Sequence, residues 1–386
     1  MKKLISIALV HMGHAGLDAQ ILQGLYDFSH PDQPWMFHDL SKSDTTAIQL
    51  SYLQTIKAKV IVGHINQSED IKLLQATGIP LINLSDLIYP RPFPVLGVAS
   101  EQLGAMAAEY FLVRGFQHFG FAGHSTWYAS NKVMKAYCGH LTQRGFKVHV
   151  LPPDAQTSHG NYQQFLDQKQ AWLRSLPKPI ALYCDLDSLA NVMCNAAQVA
   201  NYKVPEDIAV LGTTNHSMIC QLCHPPLSSI ELPGVAMGHE MGKLIVRVLA
   251  GKTIPECTHL APIGVVTRRS TDIQAVPDPI LGRALALIHA HLSDGISIAQ
   301  ILKPLPISQC QLFRLFRKHI QHSPHQELIK QRCLAAKQML ATTTFNVDEI
   351  ARRCGFRDNL HLGRMFKKQE NMTPLAYRKM SRKPTK

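Results

Sequence analysis

Short aliphatic segments alternate with amphipathic segments along the first two thirds of the chain, and this alternation constrains the fold more than any other feature. The aliphatic segments are continuous, as expected of parallel strands that are covered on both faces. Strands separated by helices predict an α/β doubly wound sheet, and the length of the alternating region predicts two such lobes. The predicted strands are Leu4–Val10, Val60–Val62, Leu81–Leu84, Val95–Val98, Phe119–Ala122, Val148–Leu151, Ile180–Cys184 and Ile208–Gly212.

The segments between these strands carry apolar residues at helical spacing. A later stripe from Val235 to Leu249 has the same spacing and ends before Gly251, a residue typical of the end of a helix. The other predicted helices are Leu17–Ser29, Thr46–Lys57, Asp70–Gln75, Glu101–Val113, Asn131–Arg144, Phe165–Leu173 and Ser188–Ala200.

The start of the chain has two interpretations. Two lysines precede the apolar run Leu4–Val10, which imitates a secretory signal peptide. The run is short, however, and His11 and His14 follow it without a small-residue cleavage site. We therefore predict a buried first strand and a cytoplasmic protein. No apolar run approaches the roughly 18 residues that a membrane span needs, which excludes an integral membrane protein.

Positive charge is concentrated at the end of the chain. The net charge is +13, and residues 278–386 hold 19 Lys and Arg against 7 Asp and Glu. The other 277 residues are nearly neutral, with 21 basic and 20 acidic side chains. This asymmetry predicts a domain that binds a polyanion behind a neutral body. Composition alone leaves open a basic face that serves only solubility.

Ligands of doubly wound sheets bind at the carboxyl ends of the strands, and two lobes enclose a cleft there. The loops that follow the predicted strands contain His, Asn, Asp, Thr, Trp and Tyr, a mixture that suits a polyol. Carboxylates and amides bind hydroxyl groups, and an aromatic ring covers the C–H face of a sugar. Strand-to-helix loops of any such fold also carry polar residues and caps, so this alternative stays open. The candidate ligand-binding residues are His11, Trp127, Asp185, Asp187 and Asn215.

Two short motifs suggest other chemistry without completing it. Cys220–His224 matches the C-x-x-C-H pattern of haem attachment, which requires export, and no second close pair completes a zinc site. We interpret it as two cysteines in a loop before two prolines. Gly238 to Lys243 resembles a phosphate-binding loop, but it is one residue short and Leu244 replaces Ser or Thr. The sequence contains no H-E-x-x-H metal motif. We predict no enzymatic activity, no cofactor and no metal, although an enzyme that processes sugars remains an alternative.

The basic region predicts two helix-turn-helix units. In the first, a short helix Ser297–Leu302 is followed by a turn and by Ser308, whose hydroxyl can cap a helix Gln309–His319. The buried stripe of that second helix is predicted to be Leu312, Leu315 and Phe316.

The second unit repeats the pattern. Asp348–Arg353 is the leading helix, and Gly355 makes the turn in a left-handed conformation. Asp358 caps a second helix, Asn359–Gln369, and one long helix, Pro324–Ala341, connects the units.

The basic region also contains an ordered series of short motifs: Asp348–Ala351, Cys354–Phe356, Arg364–Lys368 and Thr373–Arg378. Through these motifs it resembles the arabinose-operon-regulator (AraC) family of transcription factors over about the last hundred residues. An α/β two-lobed body before such a module resembles the xylose-operon regulators, which join a LacI-type, periplasmic-binding-protein-like sugar-sensing domain to an AraC-type all-α reader with two helix-turn-helix motifs. Residues 267–272 are similar to their junction. The resemblance predicts a sensing domain at 1–268, a linker at 269–277 and a DNA-binding domain at 278–386.

By this resemblance each unit places one recognition helix in a major groove, about 34 Å apart on the duplex. Cys310, Phe313 and Arg314 then face bases from the first unit, and Leu360 and Arg364 from the second. Arginines in this position grip guanine, and the remaining cations contact phosphates. Ser308, Arg317, Lys318, Lys367 and Lys368 complete the predicted DNA contacts. The implied partners are double-stranded DNA, a small-molecule effector that is a sugar, a second copy in a homodimer, and RNA polymerase.

Several residues depart from these families. Prolines 304 and 306 stand in the first turn, where the AraC family usually has alanine and glycine, and Gly363 lies inside the second recognition helix. Sugar-binding LacI-type domains often carry an aspartate after the strand Ile208–Gly212 and an arginine near residues 129–134. This chain has Thr213–Asn215 and Asn131–Val133 at those places. The alternatives are therefore a regulator of the same architecture with a non-sugar effector, or a sugar-binding protein or enzyme.

Overall fold

A computed structural model describes residues 4–13, 15–29, 33–40, 50–153, 162–273, 278–320, 322–343, 345–370 and 372–381. Its strands are β1 (Ile5–Val10), β2 (Trp35–Asp39), β3 (Val60–Gly63), β4 (Leu81–Asn83), β5 (Val95–Val98), β6 (Phe119–Ala122), β7 (Val148–Val150), β8 (Ile180–Cys184), β9 (Ile208–Thr213), β10 (Ser228–Glu231), β11 (Cys257–Leu260) and β12 (Gly264–Val266). The helices of the body are α1 (Gly16–Ser29), α2 (Leu50–Thr55), α3 (Ser68–Thr77), α4 (Ser100–Val113), α5 (Tyr128–Thr142), α6 (Tyr162–Ser175), α7 (Asp187–Val199), α8 (Ser217–Leu222) and α9 (Gly234–Leu249).

The strands form two six-stranded sheets, one in each lobe. The first has the order β11-β5-β4-β3-β1-β2 with parallel neighbours throughout. The second has the order β12-β10-β9-β8-β6-β7 and is parallel except for the antiparallel pair of β12 and β10. The chain passes from one lobe to the other at residues 98–100, 231–234 and 260–264. This architecture confirms the predicted two-lobed α/β body.

All the predicted strands are present, and most of them form the buried centre of a sheet, whereas β7 is a half-buried edge strand. Four strands were not predicted: β2, β10, β11 and β12. Two of them contain polar residues that are not typical of a buried strand. Strand β10 begins with Ser228 and Ser229, and β11 has the sequence Cys-Thr-His-Leu. The predicted helix Thr46–Lys57 is seen as α2 only, and residues 46–49 of it lie outside the described part of the chain.

Helices α1 and α9 pack so closely that their backbones touch. A Cβ atom on Gly238 would lie 2.1 Å from the carbonyl oxygen of Ile21, and one on Gly242 would lie 2.3 Å from the ring of Phe28. Close helix packing therefore explains the two glycines that imitate a phosphate-binding loop. The cysteine motif also differs from its interpretation, because Cys220 lies within α8 and both Cys220 and Cys223 are buried.

The basic region folds into seven helices among the described residues. Two hydrophobic cores divide them, one around Leu312 and Phe316 and the other around Leu362 and Phe366. The long helix supplies both cores, which fixes the two units to one another. These helices are α10 (Pro279–Ala290), α11 (Ile298–Leu302), α12 (Gln309–Ile320), α13 (Pro324–Thr342), α14 (Val347–Arg353), α15 (Asn359–Glu370) and α16 (Pro374–Ser381).

The last residues of the body pack against the second lobe and are hydrogen-bonded to it. Arg269–Thr271 form a short 3-10 helix, and the side chains of Ser270 and Thr271 are fully buried. The Ser270 hydroxyl donates to the carbonyl oxygen of Val210 at 2.6 Å. We therefore propose that the sensing domain extends to about Ile273 and that the linker is shorter than the predicted segment 269–277.

None of the described helices is both long enough and apolar enough to cross a membrane.

Candidate ligand cleft and nucleic-acid interface

One polar cluster lies at the carboxyl ends of β6 and β8. The Asp185 carboxylate accepts hydrogen bonds from the Ser130 hydroxyl at 2.6 Å and from the backbone N–H of His124 at 2.9 Å. The Nδ1 atom of His124 lies 3.0 Å from the same carboxylate. The His124 ring stacks on Trp127 with centroids 3.8 Å apart. Two predicted ligand residues, Trp127 and Asp185, are thus brought together through a histidine.

Asp187 supports the turn after β9 from beneath. It is only 1 % exposed, and its carboxylate accepts hydrogen bonds from the hydroxyls of Thr214 and Ser229 and from the backbone N–H of His216. The thiol of Cys220 lies 3.6 Å from it. Burial raises the pKa of Asp187 above its usual value, although these donors act in the opposite direction. Both oxygens of Asp187 are occupied by the protein itself.

The turn that Asp187 supports holds Asn215 in an unusual backbone conformation. Thr214 and Asn215 have φ values of 105° and 49°, in the left-handed region that non-glycine residues seldom adopt. The backbone N–H of Asn215 donates to the Ser229 hydroxyl at 2.9 Å, and the guanidinium of Arg268 donates to Asn215 Oδ1 at 2.8 Å. The structure therefore places Asn215 in the turn that Asp187 supports. The side-chain oxygen Oδ1 of Asn215 already accepts a hydrogen bond from Arg268.

His11 lies in the other lobe, at the end of β1. Its Nε2 atom is 3.1 Å from Asp70 of α3, and its backbone φ is 51°. The neighbouring His64 repeats the pattern, with Nε2 2.9 Å from Asp18 and Nδ1 3.0 Å from Ser85. Both histidines form their hydrogen bonds within the first lobe. The hydrogen bond of His11 therefore does not link it to the other predicted ligand residues, which lie in the second lobe.

The loop after β4 bridges the lobes. The backbone carbonyls of Asp86 and Leu87 accept hydrogen bonds from the N–H groups of Ala129 and Tyr128 at the start of α5, both at 2.9 Å. Tyr89 stacks on Tyr128 with centroids 4.7 Å apart. These contacts hold the two lobes against each other at one side of the cleft.

A charged pair stabilises that loop. Arg91 donates to both oxygens of Asp86, at 2.7 and 3.0 Å, and His259 lies 3.5 Å from the same carboxylate. Burial would raise the pKa of Asp86, but the hydrogen bonds from His259 and Arg91 outweigh it and lower the pKa to about 2. Asp86 is therefore ionised over the physiological pH range.

His216 makes a second contact between the lobes. Its ring packs against Gly16 at the start of α1, where a Cβ atom would lie 2.5 Å from His216 Cδ2. The Nδ1 atom of His216 is buried and has no hydrogen-bond partner among the described residues. A buried polar atom without a protein partner can form a hydrogen bond with water or with a ligand in the cleft.

The sequence did not single out His124, Ser130, His216, Arg268 or the Asp86–Arg91 pair. His124 and His216 lie in loops that were recognised as strand ends, so the rule that found Asp185 applies to them too. The Asp86–Arg91 pair follows predicted strand Leu81–Leu84 and was accessible by the same rule. Ser130 and Arg268 carry no local signal, because their roles depend on partners far away in the sequence.

The first helix-turn-helix unit presents its predicted DNA contacts to solvent. Ser308 and Gln311 cap α12 reciprocally, with each side chain bonded to the other residue's backbone N–H. Phe313 is half-buried, and Leu315 is half-buried rather than fully buried as predicted. The exposed predicted contacts of this unit are Ser308, Cys310, Arg314, Arg317 and Lys318.

The second unit does the same with α15. Asp358 accepts a hydrogen bond from the N–H of His361, as a cap should, and Gly355 has the predicted positive φ of 73°. Leu360 is 74 % exposed, so its side chain is available at the surface of α15. A Cβ atom on Gly363 would meet nothing within 4 Å, so packing inside the protein does not require glycine there. The exposed predicted contacts are Leu360, Arg364, Lys367 and Lys368.

The two units meet through their turns. A Cβ atom on Gly355 would lie 2.2 Å from the carbonyl oxygen of Leu292 and 3.1 Å from Gly295 Cα. Arg332 of α13 is buried and donates to the carbonyl oxygen of Ile296 at 2.9 Å. The second unit thus rests on the loop that precedes α11, and this contact orients the two recognition helices relative to one another.

Within the described ranges, no group of three or more His, Cys, Asp or Glu side chains is arranged to hold a metal ion.

Two family models match the chain in the order that this geometry implies. A periplasmic binding protein-like domain matches residues 108–271, and a helix-turn-helix domain matches residues 302–380. The first match runs from within α4 to the end of the body, and the second runs from the last residue of α11 through both recognition helices.

Curated relatives match over nearly the whole length. The chain is 25 % identical to a xylose operon regulatory protein of Haemophilus influenzae, over 96 % of this chain and 97 % of that protein. It is 27 % identical to the xylose operon regulatory protein of Escherichia coli K12, with 96 % of each chain covered.

Solved structures share the fold. One described as a xylose-binding transcription activator superposes with a TM-score of 0.61 at 21 % identity, covering 98 % of this chain and 99 % of that one. A transcriptional regulator in complex with cellobiose matches with a TM-score of 0.55 at 17 % identity, over 69 % of this chain and 84 % of that one. With a two-lobed binding-protein body before a double helix-turn-helix module of the AraC type, the chain is a ligand-responsive, DNA-binding transcriptional regulator with the architecture of the xylose operon regulators.

Proposed function

We propose that the effector is a monosaccharide, D-xylose or a related pentose, bound in the cleft between the lobes. The observation that carries this proposal is the likeness to xylose operon regulatory proteins over 96 % of the chain. Trp127 offers an aromatic face and the His124–Asp185 pair offers polar atoms at the strand ends. Asn215 and His11 complete the proposed set, and Asp187 acts indirectly by holding the turn.

The effector acts on DNA binding through cleft closure. The lobes already touch at the loop after β4 and at His216, so a ligand between these contacts stabilises the closed arrangement. Closure re-aims the DNA-binding domains of a homodimer, and RNA polymerase is the further partner of such a regulator in the cytoplasm. The protein has no catalytic role in this scheme.

On DNA, Arg314 and Arg364 contact guanine edges from successive grooves. The remaining exposed cations of α12 and α15 bind phosphates and set affinity rather than sequence preference. Helix α13 has 19 residues and a length of about 28 Å, which suits a separation of about one DNA turn between the recognition helices. Ser308, Cys310, Phe313 and Leu360 make the remaining contacts at the groove.

A non-sugar effector is the second candidate, and one observation favours it. Asp185 and Asp187 already accept hydrogen bonds from the protein, and residues 129–134 contain no arginine. The two predicted carboxylates are therefore not free, and no arginine stands in the loop where many sugar sites use one to bind neighbouring hydroxyls.

A thermal-shift panel separates these candidates. D-xylose at 100 times its Kd should stabilise the protein by about 2.7 kcal/mol, seen as a raised Tm, and other monosaccharides should do less. Trp127→Ala should abolish the shift while Trp127→Phe keeps most of it. A panel in which no monosaccharide raises the Tm rules out the sugar and leaves the second candidate.

The DNA-binding proposal is tested separately with the full chain and a duplex selected from a random-sequence pool. The phosphate-contacting cations Arg317, Lys318, Lys367 and Lys368 predict that binding weakens steeply with salt. The expected slope is about −4 in log K against log salt concentration for each bound chain. Binding that is absent or insensitive to salt contradicts the proposed interface.

A further inference from the structure

Arg268 joins the turn after β9 to the segment through which the chain leaves the body. Its guanidinium donates to Asn215 Oδ1 at 2.8 Å and to the carbonyl oxygen of Leu227 at 2.9 Å. Its backbone N–H donates to the Ser228 hydroxyl at 2.7 Å, and its backbone carbonyl oxygen accepts a hydrogen bond from the same hydroxyl at 2.8 Å. One residue thus touches a cleft turn and the start of the buried strand β10.

The turn on one side of Arg268 is strained and lies at the cleft. Thr214 and Asn215 have positive φ values, a conformation that non-glycine residues seldom adopt and that persists only where the surroundings impose it. The next residue, His216, has the buried Nδ1 atom without a partner among the described residues and packs against the opposite lobe. A ligand that pairs with His216 therefore acts directly on this turn.

The segment on the other side of Arg268 leads to the DNA-binding domain. Thr271 is bonded to the Ser228 hydroxyl at 2.6 Å and to the Tyr110 hydroxyl at 2.6 Å. Tyr110 belongs to α4, the helix that starts at the first crossing between the lobes. Helix α10 begins at Pro279, eight residues after Thr271. A shift of residues 268–271 is thus passed to the reader over a short stretch of chain.

We propose that Arg268 is a positioning residue that couples the cleft turn at Asn215 to the exit segment 268–273. Ligand binding at the turn changes the hydrogen bond between Asn215 and Arg268. The resulting movement of Arg268 changes the position of the exit segment relative to α4. The inference deepens the proposed function, on which it rests for the effector but not for the coupling itself. Coupling between two sites is reciprocal, so a disturbance at either end must be detected at the other.

Amide hydrogen exchange on the full chain tests the coupling without any effector. Asn215→Gly removes the side chain while glycine keeps the positive φ without strain. It should increase exchange in residues 269–273, where the amide of Ser270 is bonded to the carbonyl oxygen of Pro226. Arg268→Met should increase exchange in residues 213–217. Arg269→Met is the matched control, because Arg269 is the adjacent, exposed arginine.

The expected result is an increase of several-fold in exchange rate at the distant segment in each variant, and no change at residues 213–217 in the control. In the double variant Asn215→Gly with Arg268→Met, the exchange rate of each segment should exceed that of either single variant by no more than about twofold, since both substitutions break the same interaction. If each substitution loosens only its own segment, the coupling role of Arg268 is overturned. Asn215→Gly alone still decides the question if Arg268→Met fails to fold.

A second arm uses D-xylose as the probe. In the wild-type chain the sugar should change the affinity for a selected duplex by roughly 5- to 150-fold, the usual range of allosteric coupling. Arg268→Met should reduce that factor towards one, and Arg269→Met should keep it. A retained factor in Arg268→Met contradicts the inference. A wild-type chain without any response contradicts the proposed sugar alone, and the exchange experiment then decides the role of Arg268.

Discussion

The cleft and the recognition helices treat their polar side chains in opposite ways. Around the cleft, the carboxylates of Asp18, Asp86, Asp185 and Asp187 all accept hydrogen bonds from protein groups. On α12 and α15, by contrast, the cations are exposed, and none of the six forms an ion pair with a described residue. They are Arg314, Arg317, Lys318, Arg364, Lys367 and Lys368.

This difference separates two kinds of binding surface. The recognition helices offer charges that need only meet phosphates and base edges, so their affinity is expected to depend on the number of charges and on salt. The cleft must exchange existing hydrogen bonds for contacts with a ligand, so binding there is expected to alter the protein itself. The following substitutions test whether each surface behaves as its contacts imply.

The largest effect on DNA binding is expected at the exposed arginines. Arg314→Ala and Arg364→Ala should each weaken binding to a selected duplex by about 1–3 kcal/mol, because each removes a two-pronged contact with guanine. Fluorescence anisotropy at fixed salt measures the change in Kd. Arg352→Ala, an exposed arginine on α14 outside the recognition helices, should have little effect. Equal Kd values for all three variants would contradict the assignment.

In the cleft the corresponding test is of stability. Asp187→Ala leaves the donors of Thr214, His216 and Ser229 without their acceptor, and it should reduce the free energy of unfolding by about 3 kcal/mol. Urea unfolding measures this loss. Asp167→Ala is the control, since Asp167 of α6 is exposed and accepts only a surface hydrogen bond from Gln163. A loss no larger than in the control would show that the turn holds its shape without Asp187.

A smaller effect is expected from pH at the bridge between the lobes. The pKa of Asp86 is lowered from 3.8 to about 2 in the folded state, so its contribution is present above pH 4 and is lost as the pH falls through about 2. The contribution at neutral pH is about 2 kcal/mol. In urea titrations from pH 6 to pH 2.5, Asp86→Asn should lose less stability than the wild type, whereas the exposed Asp27→Asn should match it. Parallel pH profiles for Asp86→Asn and the wild type would sink this assignment.

The smallest effect concerns a glycine on the DNA side. Gly363→Ala should stabilise the protein by about 1 kcal/mol, because the site is open and alanine favours helix. We expect the same substitution to weaken DNA binding, since the added methyl group stands beside Leu360 and Arg364 on the exposed face of α15. Gly139→Ala in α5 is equally open and should stabilise without changing DNA affinity. If Gly363→Ala binds the duplex as tightly as the wild type, close approach by DNA does not explain this glycine.

The sequence predicted what local pattern determines. Continuous aliphatic strands, the caps at Ser308 and Asp358 and the left-handed Gly355 all depend on neighbouring residues, and the structure agrees with them. Strand β10 was missed because consecutive serines are typical of a loop. In the structure both serines are buried, and they form hydrogen bonds with Asp187 and Arg268.

The division of labour between Asp185 and Asp187 was beyond a single sequence. Both follow the same strand, two residues apart, and look equivalent as candidates. Asp185 turns to His124 and Ser130, and Asp187 turns to partners 27 to 42 residues further along the chain. Only the pairing of distant strands decides which carboxylate supports a turn and which lies beside an aromatic ring.

Adjacent residues of α13 belong to different cores. Leu328 packs in the core of the first helix-turn-helix unit, and Ile329 packs in that of the second. Melting this helix would therefore dismantle both units together, so the two are expected to unfold as one cooperative block. A lesion in either core should abolish recognition of an entire binding site, and a protein that still reads half a site should not be found among such mutants.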